Sequence, residues 1–142
     1  MELLPALAIS SSGLTAERLR IDLIAGNLAN INTTRAAGGG PYRRRVAVFA
    51  ERLQAAMAPQ RTQWPGGGVR VAAIVEDSTP PRLVYDPSHP DADARGYVAF
   101  PNINVVNEMV DLITAARAYE ANATVLNAAK SISLKALEIG RV

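Results

Sequence analysis

A chain of 142 residues suffices for one ordinary domain, and its 15 basic and 13 acidic residues leave a formal charge of only +2. The lack of cysteine excludes a disulfide framework and thiolate chemistry, and so small a positive surplus does not by itself imply nucleic acid. Alanine provides 25 residues of the apolar class, against 13 Leu, 12 Val and 9 Ile. Burial stabilises by about 25 cal/mol per Å² of apolar surface, and alanine offers little area. The sequence therefore predicts a modest core, with part of the apolar surface left for other subunits.

The first element spans roughly residues 3–31. Leu7, Leu14, Ile21 and Leu28 recur every seven residues, and Ile24 and Ile31 follow two of them by three, which makes a heptad-like helical seam. Leu19 and Leu23 widen the apolar face. Ser10 to Gly13 is a weak point, because serine and glycine favour competing backbone states. The opening Met1-Glu2-Leu3-Leu4-Pro5 has no positive n-region, so no cleavable signal peptide is expected. No run approaches about 20 apolar residues, so no membrane span is expected. Asn27, Asn30 and Asn32, then Thr33-Thr34 and Gly38-Gly39-Gly40-Pro41, close the helix.

The middle, about 41–101, reads as a small antiparallel β-element built from hairpins. Candidate strands are 45–49, 69–75, 83–85 and 97–100. Ala50 to Ala58 has weak helical character, and Gln60 to Gly68 reads as a loop. After Pro101-Asn102, residues 102–139 contain neither Gly nor Pro and predict a helix of about 50 Å. Val105, Met109, Leu112, Ala116, Tyr119, Ala123 and Leu126 form one seam; Ala118, Val125, Ile132 and Ile139 form another. Eight alanines between 115 and 136 permit close approach. The fold class is α+β: long N- and C-terminal helices packed as an antiparallel, coiled-coil-like pair, with the β-element between them. The expected division is 1–34 plus 102–142 as a helical part and 35–101 as a strand-and-loop part. An αα pair covers one seam per helix, so the second seam of the C-terminal helix calls for lateral partners.

Candidate chemistry is sparse. His89, the single histidine, lies near Asp86, Asp91 and Asp93, which suggests a metal or acid–base site. A zinc site needs three or four ligands, however, and Pro87 and Pro90 around the histidine favour a rigid turn with aspartates as turn and cap residues. Arg43-Arg44-Arg45 lacks the aromatic platform of a single-strand nucleic-acid site, and reads as a solvated or interface-facing charge cluster at a strand start; in an assembly its arginines would pair with a neighbour's carboxylates, Asp91 and Asp93 being candidates. The glycine clusters lack the Lys-Ser/Thr of a phosphate loop. Asn27, Asn30, Asn32 and Asn122 serve either as caps or as register-setting residues.

Ser12-Gly13-Leu14-Thr15-Ala16-Glu17-Arg18-Leu19 and Asn27-Leu28-Ala29-Asn30-Ile31-Asn32 resemble the N-terminal signature of flagellar axial proteins, with Ala25-Gly26-Asn27 where that pattern usually has Ser-Asn-Asn. Tyr85-Asp86-Pro87-Ser88-His89-Pro90-Asp91-Ala92-Asp93, Glu108-Met109-Val110-Asp111 and Arg117-Ala118-Tyr119-Glu120-Ala121-Asn122 are more selective, and resemble the FlgC type of proximal rod protein. The resemblance covers about 7–141. It implies a non-enzymatic structural subunit of the basal-body rod, located in the periplasm-spanning rod, that transmits torque from motor to hook. It implies partners among other rod proteins and copies of itself, passage through the flagellar type III export apparatus, and terminal helices that line the inner tube. No cofactor, metal or nucleic acid is expected. The rivals are a soluble coiled-coil adaptor outside the flagellum, sharing the seams but giving no role to residues 85–93, and a small metal-dependent hydrolase using His89.

Overall fold

The structure is a computed structural model and describes residues 3–52 and 67–140. In chain order the elements are α1 (Leu3–Ala29), β1 (Arg45–Glu51), β2 (Val69–Glu76), β3 (Arg82–Tyr85), β4 (Tyr97–Phe100) and α2 (Val105–Ile139). Each expected helix and strand is present. Most of the helical character expected for Ala50 to Ala58 falls outside the described residues, and Ala50 and Glu51 themselves belong to β1.

The helices pack on each other in antiparallel sense. Near one end Asn27 of α1 bonds Glu108 of α2; farther along, Gly13 lies against Asn122. Continuing that register leaves the last turns of α2 with no α1 alongside, and there Leu134, Leu137 and Ile139 are exposed. α1 runs unbroken through Ser10 to Gly13. The expected weakness is offset by tertiary use of these small residues. The Ser12 hydroxyl donates to Ile9 O at 2.7 Å, satisfying itself within the helix, and Gly13 leaves the space that the Asn122 amide fills. α2 starts at an Asn104 cap, whose side chain accepts from the amides of Val106 and Asn107.

The strands form two separate antiparallel pairs, β1–β2 and β3–β4. β1 opposes β2 from Arg45↔Glu76 to Glu51↔Val69, with an irregularity at Val48/Phe49. β3 opposes β4 from Arg82↔Phe100 to Tyr85↔Tyr97. The core is thin. Among the described residues the buried apolar side chains are Ala16, Ile24, Val98, Ala115 and Ala129. Three of these five are alanines, so direct apolar burial between the helices is small.

Candidate functional site

Where α1, α2 and the start of β1 meet, polar groups fill the space that a larger domain would give to hydrophobic side chains. Glu108 is 1 % exposed and Asn27 equally so. One Glu108 oxygen accepts from Arg44 Nε, the other from Asn27 Nδ2 at 3.0 Å. Asn27 Nδ2 also donates to Arg45 O at 3.0 Å. Its Oδ1 accepts from Arg45 N at 2.9 Å and from the Tyr42 hydroxyl at 3.1 Å. Asn27 thus uses both donors and both lone pairs of its oxygen, which satisfies it fully in a buried place. Burial pushes the Tyr42 hydroxyl above its ordinary pKa, which keeps it a donor. Arg44 extends its other nitrogen to Asp111 at 3.5 Å, and Arg20 approaches the same carboxylate at 3.5 Å. A groove of about 270 Å³ beside this knot is lined by Leu23, Ile24, Val46 and Phe49 as well as the charged groups.

Arg44 and Arg45 find carboxylates within their own chain, Arg45 reaching Glu76 at 3.4 Å. Asp91, expected to face a neighbour's arginine, instead accepts from Thr34 Oγ1 at 2.7 Å and pairs with Arg35. Asp93 accepts from the amides of Arg95 and Tyr97 at 2.8 and 2.9 Å, and Asp86 from the amide and hydroxyl of Ser88. The His89 ring accepts from the Asp91 amide through Nδ1 at 3.1 Å. These hydrogen bonds hold Asp86, Asp91 and Asp93 below the usual carboxylate range, led by Ser88, Thr34 and the Tyr97 amide respectively. The segment is a set of side-chain-closed turns. Pro87 is exposed, and Pro90 helps line a shallow groove with Thr34, Arg35 and Asp91. Tyr85 stacks edge-on with Tyr97, ring centroids 5.3 Å apart. Among the described residues no three His, Cys, Asp or Glu side chains converge as a metal cluster would.

The other singled-out residues divide by face. Leu7, Leu14, Ile21 and Leu28 are half-buried, to one side of the line Ser12, Ala16, Ile24 and Asn27 that is most enclosed on α1. On α2, Leu112 and Leu126 are half-buried near Glu108, Ala115 and Ala129, whereas Met109, Tyr119, Val125 and Ile132 are exposed. Asn30 bonds back to Gly26 O and accepts from Thr33 Oγ1, closing the turn after α1; Asn32 is exposed. Asn122 bonds Ala118 O and packs on Gly13, while Glu120 pairs with Arg117 on the surface. Sequence reasoning missed Glu108 and Arg44 as partners. The available signals were an acid near the start of an apolar helix and an arginine cluster 64 residues earlier, and no periodicity links the two.

Two family descriptions match the chain at its ends: "Flagella basal body rod protein" over residues 7–36, and "Flagellar basal body rod FlgEFG protein C-terminal" over 94–139. These ranges contain most of α1 and all of α2. The chain is 48% identical to the flagellar basal-body rod protein FlgC of Borreliella burgdorferi, over 98% of each chain. It is 43% identical to FlgC of Bacillus subtilis, over 96% of this chain and 97% of the relative. Similarity to FlgC of Salmonella typhimurium is also 43%, over 99% and 100%. With identity of 43% to 48% over nearly the full length of each relative, the chain belongs to the FlgC family of flagellar basal-body rod proteins.

Proposed function

We propose that this rod subunit of the flagellar basal body carries torque from motor to hook as a passive structural element. Its terminal helices pack with those of other rod proteins and of further copies into the wall of a tube. Residues 1–34 and 102–142 form that wall and 35–101 stand outside it. The observation that carries the reading is the outward face of α2. Val106, Val110 and Ile113 are 68%, 56% and 60% exposed, and Ile132 is 50% exposed. Large apolar side chains left open along a helix that already has a partner mark a second contact surface. Met109, Tyr119, Val125 and Ile132 belong to that contact. Leu112 and Leu126, with Leu7, Leu14, Ile21 and Leu28, shape the flanks of the pair.

The protein catalyses no reaction, since the groups with chemical potential in residues 86–97 are spent on turns. It does not bind nucleic acid, since Arg44 and Arg45 are paired with carboxylates. It leaves the cell through the flagellar type III export apparatus. No described helix is long and apolar enough to cross a membrane. A coiled-coil adaptor outside the flagellum is disfavoured, because it gives no role to residues 85–93 and the chain matches rod relatives over nearly their whole length.

Ile113→Asp, expressed in a strain lacking the gene, tests the reading. Ile113 lies on the open face, so the purified variant should keep its helical circular dichroism. Cells should form no rod or hook and should not swim, because a charge enclosed among packed helices goes unpaired. Normal swimming of that strain rejects this face as a subunit contact. Normal filaments in the deletion strain itself reject the rod role.

A further inference from the structure

The face that α2 turns toward α1 is not its most apolar one. Leu112 and Leu126 are half-buried beside its most enclosed line, while Met109 and Tyr119 on one flank and Val125, Ile132 and Ile139 on the other are large apolar groups left exposed. Burial of apolar area alone would choose either. The enclosed line instead holds Glu108, Ala115 and Ala129, and α1 reciprocates with Ser12, Ala16 and Asn27.

We propose that Glu108, gripped by Arg44 and Asn27, is the residue that sets the rotation and axial register of α2 on α1, and so decides which apolar face the chain presents outward. A carboxylate that is 1 % exposed is tolerable only where its charge is paired and its oxygens are hydrogen-bonded. In this one arrangement both oxygens are occupied, one by Arg44 and one by Asn27. Turning α2 onto either flank carries Glu108 off these partners. It takes the carboxylate away from Arg44 and leaves the buried Asn27 one donor short. Buried polar groups are known to fix register in paired helices at some expense of stability. Here the control is shared with the middle of the chain. Arg44 lies outside both helices, immediately before β1, and Asn27 holds the β1 backbone at Arg45 through two hydrogen bonds. Asp111, one turn along α2, receives the second Arg44 nitrogen and Arg20, so the same orientation satisfies both acids of the helix start. The helix pair therefore takes its working orientation only with the strand pair seated. This inference concerns the single chain and does not rest on the rod reading.

The absence of cysteine gives a clean reporter. An ideal Cβ on Gly13 lies 3.2 Å from Asn122 Cγ, which puts Gly13→Cys and Asn122→Cys within disulfide reach. Gly13→Cys with Ala123→Cys or Val125→Cys, each with Asn122→Ala to clear space, reports α2 turned onto one or the other flank. In the full-length chain the Gly13/Asn122 pair should oxidise roughly tenfold faster than either alternative. Glu108→Leu and Arg44→Ala should each reduce that preference to about threefold or less. Absence of the preference in the parent chain, or its persistence in Arg44→Ala, overturns the proposal. If Glu108→Leu loses its helical circular dichroism, Arg44→Ala decides alone, since that side chain belongs to neither helix.

Discussion

The two strand pairs are held in different ways. β1–β2 is fastened to the helices by long-range bonds: Asn27 grips the backbone of Arg45, and Ser12 Oγ accepts from Val69 N at 3.0 Å. The two Asn27 bonds tie the beginning of β1 and the Ser12 bond the beginning of β2, so α1 holds both ends of the ladder. β3–β4 is closed mainly by its own connection. Asp86, Asp93 and His89 each accept amides within four residues, and its tie to the rest of the chain through Asp91 reaches the turn after α1, at Thr34 and Arg35. Its enclosed residue is Val98, with Pro101 just beyond the strand. A strand pair bonded to distant helices must rise and fall in stability with them. One closed by neighbouring turns can be loosened without disturbing them.

Asn27→Ala should break this contrast most severely. It removes four hydrogen bonds at once, leaving Glu108 short of a partner and the Arg45 backbone unsatisfied, at a cost of about 2–4 kcal/mol. Hydrogen exchange should quicken together in the end of α1, in β1 and in the first turns of α2, with β3–β4 amides little changed. Exchange confined to β1 contradicts the long-range coupling.

Gly68→Ala should come next, at about 1–3 kcal/mol. Gly68 has φ of +101°, and a Cβ there would clash with Ser12 Oγ. The bond from Val69 N to Ser12 is therefore expected to open, with protection lost first at the β2 start and around Ser12. A chemical-denaturation midpoint equal to that of the parent chain would show that the contact does not hold the ladder.

Acid should have the smallest effect and act on the other pair. Asp86, Asp91 and Asp93 are held below their usual 3.8 by hydrogen bonds to Ser88, Thr34 and the Tyr97 amide. A depressed folded value means the stabilisation is fully present above the usual value and is lost as pH falls through the lower, folded one. The amides of Ser88, Arg95 and Tyr97, which bond these carboxylates, should lose protection as pH drops below 3.8. Loss of these protections already near neutral pH would contradict the assignment.

Much of the fold was legible in the sequence because its signals are local. The long Gly- and Pro-free tract gave α2, the Asn-rich stop gave the end of α1, and short apolar runs between turn residues gave the four strands. The turn role of residues 86–93 was legible for the same reason: aspartates and prolines act on backbone two to four residues away. The face of each helix was not. Leu7, Leu14, Ile21 and Leu28 are the most regular positions on α1, yet Ser12, Ala16 and Asn27 are more enclosed. Periodicity ranks faces by apolar content and assigns no value to a buried amide that meets four partners.

The sequence by itself determined where helices, strands and turns lie, and that more apolar helical surface exists than this core can enclose. Only the tertiary structure decided which surface stays open. That choice depends on Asn27, Arg44 and Glu108 coming together across 81 residues of chain. The energy of such a contact resides in mutual desolvation and pairing, which belongs to none of the three segments alone.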